Sequence, residues 1–524
     1  MNNHVQIATE PETQNETQRR PPSAFWSDRR RLFLITLAAA TVVFAQYQFW
    51  KQPVRGDAAN WDYFAQVIAR GGLPYRDVVN IKSPLSAYIG ALAIVAARPF
   101  GLRDVYAIRI VYLIMAVFTV GFTYLVTYDY FESHRIALLA ATIMLTFEPF
   151  GIFNSRGVQP KTPMVLFGLM TLWAIHKRWP IAAGVFGMLS ALSWQPGLLF
   201  VGAAGLAFSR YLRDWRDGKV LKLLAGAGAP LAVMVAYFAA AGALKDFYLW
   251  GFHYTSTVYG PRELRPLSSF FGHLGGILAS RFPKEQIYFY LAAIGIVMAI
   301  GIALKEVKDQ GWTELFARAP RHAIIIAPAV YFGFCMIDIQ GIPDLIPLLP
   351  FVGAFAALAL IYSCDWTAKH AMKMLPRIRP ALWQYAPFMV FLIAILVLDL
   401  GSLFSYRRGF PTLQDEDAAT AEITSHLGPG DKIFVHGQTE ILELSQLTNA
   451  SKYFFLDRGK DTYLDKVEPG GFAGWFDRLK AERPKVIALS RLDAVDHAAE
   501  FREWANEDYE ARKSLVFPYF VRKD

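Results

Sequence analysis

Long runs of apolar residues, separated by short basic segments, constrain this chain more than any other feature. Of its 524 residues, 54% are hydrophobic and only 19% are charged, whereas a soluble domain carries about 25% charged residues. A run of roughly 20 apolar residues is long enough to cross the hydrocarbon core of a bilayer as one helix. The pattern therefore predicts a polytopic α-helical membrane protein and argues against a large soluble enzyme with buried helices.

The runs predict about eleven transmembrane helices, and the basic segments between them predict their orientation. The predicted spans are 32–50, 105–127, 136–153, 162–176, 180–194, 196–208, 221–241, 287–304, 323–337, 345–363 and 385–403. Basic loops stay on the cytoplasmic side, and alternation from a cytoplasmic N-terminus places every basic cluster there. These clusters are 29–31, 134–135, 177–178, 210–222, 305–321 and 369–379. We therefore expect a multi-pass protein of the cytoplasmic (inner) membrane with an extracytoplasmic C-terminus.

Three regions follow from this pattern. Residues 1–31 are polar and are predicted to be a disordered cytoplasmic N-terminus. They are too acidic, and too long before the first apolar run, for a cleavable signal peptide. Residues 32–411 are predicted to form the transmembrane domain, with a first outer loop at 51–104, and residues 412–524 a separate domain.

One apolar run, 85–97, is shorter than a typical span and lies between Pro84 and Arg98. Counting it as a span would reverse the orientation of the basic pair at 134–135. We therefore predict a helix that lies on, or dips into, the outer leaflet. A short true span is the alternative.

The first outer loop is richer in charged and aromatic residues than a plain connection, as "GDAANWDYFAQVIARGGLPYRDVVNIKSP" at 56–84 illustrates. Asn60 is a good N-cap, and the apolar residues after it recur at helical spacing, so a second interfacial helix is predicted over 60–70. Trp61 is expected at headgroup depth, and Asp62 is expected on the solvated face.

The order of elements after the first span resembles the opening module of the GT-C glycosyltransferases. An acidic residue, Asp57, ends the span, two interfacial helices follow, and a lysine–proline element with Lys82 closes the loop. The stretches "GLPYRD", "KSP", "LSWQPG" and "IPDLIPLLP" are similar to elements of bacterial members. The branch that they resemble contains protein O-mannosyltransferases and lipid A aminoarabinose transferases, and the resemblance covers most of the chain.

The resemblance implies an inverting glycosyltransferase, a hexosyl- or pentosyltransferase of the cell envelope. Such an enzyme moves a sugar from a polyprenyl-phosphate carrier to a glycolipid, polysaccharide or protein acceptor at the outer face of the membrane. Its partners would be the lipid-linked donor, the acceptor and membrane lipids, and it would need no cofactor. The basic residues lie between spans, so they do not indicate a nucleic-acid partner.

Sugar transfer needs a carboxylate that removes the proton of the attacking acceptor hydroxyl. Asp57 matches the family's first-loop acid and is the candidate base, with helix capping as its structural alternative. Glu148, inside the predicted span 136–153, is either the partner acid or a neutral structural acid. Many family members carry a second acid in the second outer loop, but 151–162 contains none, so no divalent metal is expected.

The departing lipid phosphate needs fixed cations at headgroup level. Lys82 matches the lysine of the family's lysine–proline element, in which serine here replaces the first proline, and its alternative role is interfacial snorkelling. The other candidate donor-phosphate ligands, in the second outer loop and in the later loop 242–286, are Arg156, Lys161, His253, Arg262 and Arg265.

From residue 412 onwards, short β-rich runs alternate with helical stretches, which predicts a small extracytoplasmic α/β domain. Strands are predicted at 431–437, 451–456 and 484–490, and helices at 471–482 and 495–508. No catalytic motif is recognisable there, and His436 at a strand end is interpreted as a packed histidine.

Two other functions remain open, a transporter or flippase of lipid-linked sugars and a polysaccharide polymerase. Geometry discriminates between them and the transferase. Convergence of Asp57, Lys82 and the loop 242–286 on one cavity would favour the transferase. A polar path through the bilayer would favour the transporter.

Overall fold

The structure is a computed structural model that describes residues 28–209, 218–259, 265–310, 319–374, 388–395, 397 and 411–523. The predicted disordered N-terminus lies, up to residue 27, outside the described residues. Helices dominate the described chain. Up to residue 374 they are α1 (Arg29–Ala45), α2 (Asp57–Ala69), α3 (Leu85–Ala97), α4 (Asp104–Phe131), α5 (His134–Thr146), α6 (Glu148–Arg156), α7 (Lys161–His176), α8 (Pro180–Ser193), α9 (Leu198–Phe208), α10 (Lys219–Ala240), α11 (Leu244–Tyr248), α12 (Tyr254–Thr257), α13 (Leu267–Arg281), α14 (Gln286–Gln310), α15 (Ala319–Ile337), α16 (Ile342–Leu345) and α17 (Leu349–Met374).

Membrane-length apolar helices confirm a multi-pass helical membrane fold. Within the described chain, the helical segments long and apolar enough to cross a bilayer are Arg29–Lys51, Asp104–Phe131, Lys219–Ala240, Gln286–Lys305 and Ile342–His370. Shorter apolar segments are Leu85–Phe100, Pro180–Ser193, Gln195–Phe208 and His322–Ile337. The total of eleven stays a prediction, and the predicted last span, 385–403, lies largely outside the described residues.

The predicted span 136–153 is not one straight helix. Helices α5 and α6 meet at Phe147 with a bend of 60°. Pro149 explains the break, because its ring cannot follow a continuous helix without clashing with the preceding turn, whereas it fits well in the first turn of a new helix. The chain is thereby turned aside at the end of α5 instead of continuing along the bundle axis.

The helical bundle has a basic end, defined by the charged residues where α1 begins. Arg29 pairs with Asp129 at 2.7 Å, and Lys177 lies 3.6 Å from the same carboxylate. Arg135, in the first turn of α5, pairs with Asp365 of α17 at 2.8 Å. Three of the segments predicted to be cytoplasmic, 29–31, 134–135 and 177–178, are therefore gathered at one end of the bundle.

The opposite end, which we call the loop end, carries the first loop. The two ends of α3 both lie there. Near its start, the Ser86 hydroxyl donates to the Ser193 carbonyl at the loop end of α8, at 3.0 Å. Just after its end, Arg98 lies 3.8 Å from Asp104 at the loop end of α4. Helix α3 therefore does not cross the bundle, in agreement with the interfacial helix predicted at 85–97.

Helix α2 begins earlier than predicted and is buried. Gly56, with φ +60°, is its N-cap, so the helix starts at Asp57 instead of after Asn60. Asp62 is fully buried, so its predicted solvated position is wrong, and Trp61 is packed inside the protein with 3% of its surface exposed. The reason is tertiary, because the second loop and the C-terminal domain together cover the face of α2 that an isolated interfacial helix would expose.

The C-terminal domain is an α/β fold, as predicted. Its helices are α18 (Leu413–Thr424), α19 (Glu440–Ser445), α20 (Lys460–Val467), α21 (Gly471–Ala481) and α22 (Ala498–Asp508), and its strands are β1 (Ile433–His436), β2 (Val486–Leu489), β3 (Tyr509–Lys513) and β4 (Pro518–Arg522). The sheet order is β1-β2-β4-β3, with β1 and β2 parallel and the other pairs antiparallel.

Two strand predictions for this domain need correction. The segment 451–456 joins no sheet ladder, although the Phe454 carbonyl accepts a hydrogen bond from the Gly437 N–H at 2.9 Å. The β3–β4 hairpin was not predicted. Four of the five residues of β3 are exposed, and an exposed edge strand lacks the apolar alternation by which strands are recognised in a sequence.

The domain and the first loop are packed against each other at the loop end. One apolar cluster joins Trp61 and Phe64 of α2 to Val435 of β1 and other sheet residues. Backbone contacts reinforce it, since the Glu416 carboxylate accepts from the Val54 N–H at 2.6 Å. Several of the candidate functional residues predicted from the sequence line the space between these two regions and the helix ends.

Candidate functional site

Three adjoining cavities lie where the first loop, the helix ends and the α/β domain meet. Chamber A, of about 520 Å³, is lined by the first loop, residues 153–161 and the α/β domain. Chamber B, of about 670 Å³, faces the ends of α8 and α15 and the segment 337–344. Chamber C, of about 110 Å³, lies between the first loop and residues 454–460. Asp57 and Lys82 line all three chambers.

Asp57 occupies the junction of the chambers because α2 starts there. Gly56 adopts a left-handed backbone conformation that favours glycine, and the next residue begins the helix with its carboxylate exposed. Within the described part of the chain, this carboxylate makes no hydrogen bond or ion pair. It therefore does not cap its own helix, although the helix N-terminus favours a negative side chain at this position.

Lys82 approaches the same junction from the other end of the loop. Its carbonyl accepts a hydrogen bond from the Tyr75 hydroxyl at 2.7 Å, and its N–H donates to the Asn80 side chain at 3.3 Å. These bonds fix the backbone from which the ammonium group reaches the chambers. Among the described residues, no acid lies within ion-pairing distance of that ammonium group.

Lys161 and Arg156 flank the junction from the second loop. Lys161, at the start of α7, pairs with Asp344 at 2.9 Å and lies 4.5 Å from the centre of the Trp194 ring. Both partners of this pair are buried, so much of the lysine charge is already neutralised. Arg156 lines chamber A only, and its carbonyl accepts from the Arg109 guanidinium at 3.0 Å.

Glu148 is not brought to the chambers. It begins α6 directly after the break at Phe147, so it lies at the end of a helix instead of inside a span. Its backbone N–H donates to the Glu285 carboxylate at 3.4 Å.

The later loop contributes different residues from those expected. His253 bonds to the Tyr463 hydroxyl at 2.7 Å and so joins the loop to α20, away from the chambers. Arg265 does not line them either, and Arg262 lies outside the described residues. From this loop, Thr255 and Tyr259 line chamber B instead.

The α/β domain supplies several lining residues that no motif indicated. Glu440 and Arg491 line chamber A, Arg458 lines chambers B and C, and Lys460 lines chamber C. The Glu440 carboxylate accepts a hydrogen bond from the Gly56 N–H at 3.2 Å, next to the start of α2. Burial raises the pKa of Glu440.

Arg458 connects three parts of the chain across chambers B and C. Its guanidinium donates to the Tyr259 hydroxyl at 3.1 Å and to the Gln340 side-chain oxygen at 2.9 Å. It also lies over the Tyr259 ring, 5.1 Å from its centre. The α/β domain thus contacts both the later loop and the 337–344 segment at the cavity wall.

Buried acids lie behind chamber A, in the contact between the first loop and the α/β domain. Burial raises the pKa of Asp62 to about 7, against the opposing effects of the Val158 N–H bond and the Arg109 charge. Burial also raises the pKa of Glu416 to about 8 and that of Glu443 well above its usual range. Burial therefore favours the protonated form of each of these carboxyl groups.

Asp62 also ties the second loop to α2. Its carboxylate accepts from the Val158 N–H at 2.7 Å. Gly157 must approach it closely, because a Cβ at that position would lie 2.0 Å from an Asp62 oxygen. This contact fixes the segment that carries Arg156 and Lys161 beside the start of α2.

The fold and this enclosed polar junction at one end of a helical bundle define a class of multi-pass membrane protein with a soluble α/β domain docked on its first loop. No protein-family model matches the chain, and no curated protein sequence matches it.

Solved structures do resemble it over nearly its whole length. The crystal structure of ArnT from Cupriavidus metallidurans in the apo state is 14% identical, with a TM-score of 0.56 over 93% of this chain and 97% of that one. The archaeal oligosaccharyltransferase AglB from Archaeoglobus fulgidus, in complex with an inhibitory peptide and a dolichol-phosphate, is 13% identical, with a TM-score of 0.53 over 96% of this chain and 75% of that one. Both belong to the GT-C superfamily. The chain therefore has the GT-C fold, which confirms the resemblance drawn from its first loop.

Proposed function

We propose that this protein is an inverting glycosyltransferase that moves a sugar from a polyprenyl-phosphate carrier to an acceptor hydroxyl at the outer face of the cytoplasmic membrane. The observation that carries the proposal is the Asp57 carboxylate, unpaired within the described chain, at the junction of three chambers that Lys82 also lines. The fold supports the reaction class, since both structural neighbours are transferases of the GT-C superfamily. One of them was solved with a dolichol-phosphate, which supports the donor class.

The proposed chemistry uses the two residues in complementary roles. The acceptor oxygen attacks the anomeric carbon while Asp57 takes the hydroxyl proton. The bond between the anomeric carbon and the phosphate oxygen breaks, and the phosphate leaves with the electron pair. Lys82 stabilises the negative charge that grows on that oxygen. Attack opposite to the leaving group inverts the configuration at the anomeric carbon.

Chamber B suits the lipid-linked donor better than chamber A does. Its wall includes Phe334 and Ile337 at the end of α15, two apolar residues that do not line chamber A. A lipid-linked sugar can place its phosphate at Lys82 while its chain stays against apolar surface. The acceptor then reaches Asp57 through chamber A.

The position of the later loop favours a transferase over a transporter. Asp57, Lys82 and two residues of that loop, Thr255 and Tyr259, converge on chamber B. A transferase requires such convergence of a base and a phosphate site, whereas a transporter requires a continuous polar path across the bilayer. The sugar and the acceptor are left open, and the expectation that no divalent metal takes part stays a prediction.

The test uses the full chain in lipid nanodiscs with a panel of polyprenyl-phosphate sugars and an extract of the source cells' envelope as acceptor. Release of free polyprenyl phosphate is measured for the wild type, for Asp57→Asn and for the control Asp477→Asn, which makes the same change on exposed α21. We expect release from one donor, lost in Asp57→Asn and kept in the control. Unchanged release by Asp57→Asn would place the base elsewhere. Release from no donor, together with lipid scrambling by the nanodiscs, would favour the transporter.

A further inference from the structure

We propose that Arg491 of the α/β domain, together with Arg55 on the wall of chamber A, forms a subsite for an acidic group on the acceptor. The group is a carboxylate or a phosphate ester, both of which present oxyanions to a guanidinium. This inference rests on the proposed function, because it assumes a donor in chamber B and an acceptor in chamber A.

The charge of chamber A is the first argument. Its lining contains five cationic side chains and two acids. The cations are Arg55, Lys82, Arg156, Lys161 and Arg491, and the acids are Asp57 and Glu440. Asp344 already neutralises Lys161, and Lys82 also lines the chambers of the donor side. Arg55 and Arg491 remain for a ligand within chamber A, and guanidinium groups match oxyanions with paired hydrogen bonds.

The conformation of Arg491 is the second argument. Its φ is +54°, in the left-handed region that residues with a Cβ avoid. Such strained residues cluster at functional sites, where the surrounding structure holds them in place. The guanidinium of Arg491 lies beside the base, because a Cβ on Gly56 would be 3.7 Å from its Nη2 atom.

The structure holds Arg491 in place through the buried histidine of β1. The ring Nδ1 of His436 donates to the Ser490 carbonyl, directly before Arg491, at 3.0 Å. Its Nε2 accepts from the Leu456 N–H at 3.0 Å, directly after Phe455. Phe455 in turn packs against the Arg491 guanidinium, 5.6 Å from its ring centre. His436 is thus a packed histidine, as predicted, and it also fixes both neighbours of the subsite.

Arg491 forms no ion pair with a described residue, although its charge acts on Glu440 at the wall of the same chamber. No described carboxylate lies within 4 Å of its guanidinium, whereas Arg478 and Arg502 elsewhere in the domain each pair with an acid below 3 Å. An arginine that is strained, stacked and unpaired at a cavity wall is poised for a ligand. Arg491 does not line chambers B or C, so that ligand belongs to the acceptor side.

The experiment separates acidic from neutral acceptors without knowing their identity. An envelope extract of the source cells, containing glycans, glycolipids and proteins, is divided on an anion-exchange resin into an acidic and a neutral fraction. The donor that is active in the nanodisc assay, labelled in its sugar, is offered with each fraction to the wild type, Arg491→Ala and Arg491→Lys. The control is Arg483→Ala, which removes another left-handed arginine of the same domain (φ +47°) outside the three chambers.

We expect the label in the acidic fraction only. Arg491→Ala should raise the KM for that fraction by roughly 10- to 100-fold, the value of a lost hydrogen bond to a charged group. The KM for the donor should not change, Arg491→Lys should retain part of the effect, and Arg483→Ala should match the wild type. Treating the acidic fraction with a phosphatase distinguishes the two sources, because a phosphate acceptor would lose its activity and a carboxylate acceptor would keep it.

Label in the neutral fraction, or in neither fraction while polyprenyl phosphate is released, would overturn the subsite and leave the transferase standing. A raised KM for the donor in Arg491→Ala would assign this arginine to the donor phosphate and would equally overturn it. Release from no donor would remove the proposed function itself. Thermal unfolding of each variant in nanodiscs shows whether a loss arises from misfolding.

Discussion

The cavity has two walls of different origin. The first loop contributes Asp57 and Lys82, which lie in one short stretch of sequence beside the first span. The α/β domain contributes Glu440, Arg458 and Arg491 from the far end of the chain. In the proposed reaction the first wall acts on the reacting atoms, and the second wall holds the substrates. A family-like motif marks the wall to which we assign the chemistry, and the wall to which we assign substrate binding carries no motif.

The largest expected effect tests this division directly. Asp57→Asn should lower kcat by about 10²- to 10⁴-fold, the usual contribution of a general base, and leave both KM values close to those of the wild type. Arg491→Ala should instead change the acceptor KM. Steady-state kinetics with both substrates varied would measure the split. A variant of either wall that moves both parameters equally would contradict the separation of roles.

Lys82 should come next in size. Lys82→Ala removes the cation that we propose stabilises the departing phosphate, and it should lower kcat by roughly 10²- to 10³-fold, as the loss of one oxyanion donor does. Lys82→Arg should recover part of the rate because it keeps the charge. Lys466→Ala, an exposed lysine of the α/β domain, is the matched control. Full activity of Lys82→Ala would show that snorkelling is its main role.

The contact between the two walls should weaken as pH rises. Burial raises the pKa of Asp62 to about 7 and of Glu416 to about 8, above the ordinary carboxyl values near ~4. Between pH ~4 and pH ~8 the folded state therefore binds more protons than the unfolded state. The free energy of unfolding is highest at the acidic end of this range and falls as the pH rises through it.

We expect the unfolding midpoint of the α/β domain to be a few degrees lower at pH ~8.5 than at pH ~6. Glu416→Gln should flatten this dependence, because the amide carries no charge to bury, and Glu500→Gln on the exposed face of α22 should not. Differential scanning fluorimetry in nanodiscs over that pH range measures both. A midpoint that rises with pH in the wild type would contradict the assignment.

The smallest effect is expected at Arg458, which bridges Tyr259 and Gln340 across the wall. The arginine is exposed, and exposed polar contacts contribute only about 0.2–1 kcal/mol. Arg458→Ala should therefore change the donor KM by no more than about 5-fold. Arg512→Ala, an exposed arginine paired with Glu510 on β3, is the control. A decrease in kcat as large as that expected for Lys82→Ala would instead assign Arg458 a role in the chemical step.

Sequence reasoning predicted the class, the α/β domain and four of the residues that line the chambers. Of the candidate residues, Asp57, Lys82, Arg156 and Lys161 meet in the chambers, because their positions follow from where helices end at one end of the bundle. Glu148 and His253 do not, since a proline break and the docking of α20 redirect them.

The burial of Asp62 and the ion pair of Lys161 could not be predicted from the sequence either. Both depend on partners that lie far away along the chain, Glu443 and Asp344, and on the face of α2 that the α/β domain covers. Periodicity reports which face of a helix is apolar, and it does not report which polar face another domain will bury.

The amino-acid order by itself determined that this protein is a helical membrane protein, and it placed an acid and a lysine in the loop after its first span. The length of an apolar run and the charge between runs are local properties of the sequence. They decide which segments cross a bilayer and in which orientation, so spans can be predicted from them directly. Only the tertiary structure decided that Arg491 and Glu440 complete the cavity. Docking two regions nearly four hundred residues apart depends on the summed packing of many small contacts, and no local pattern encodes that sum.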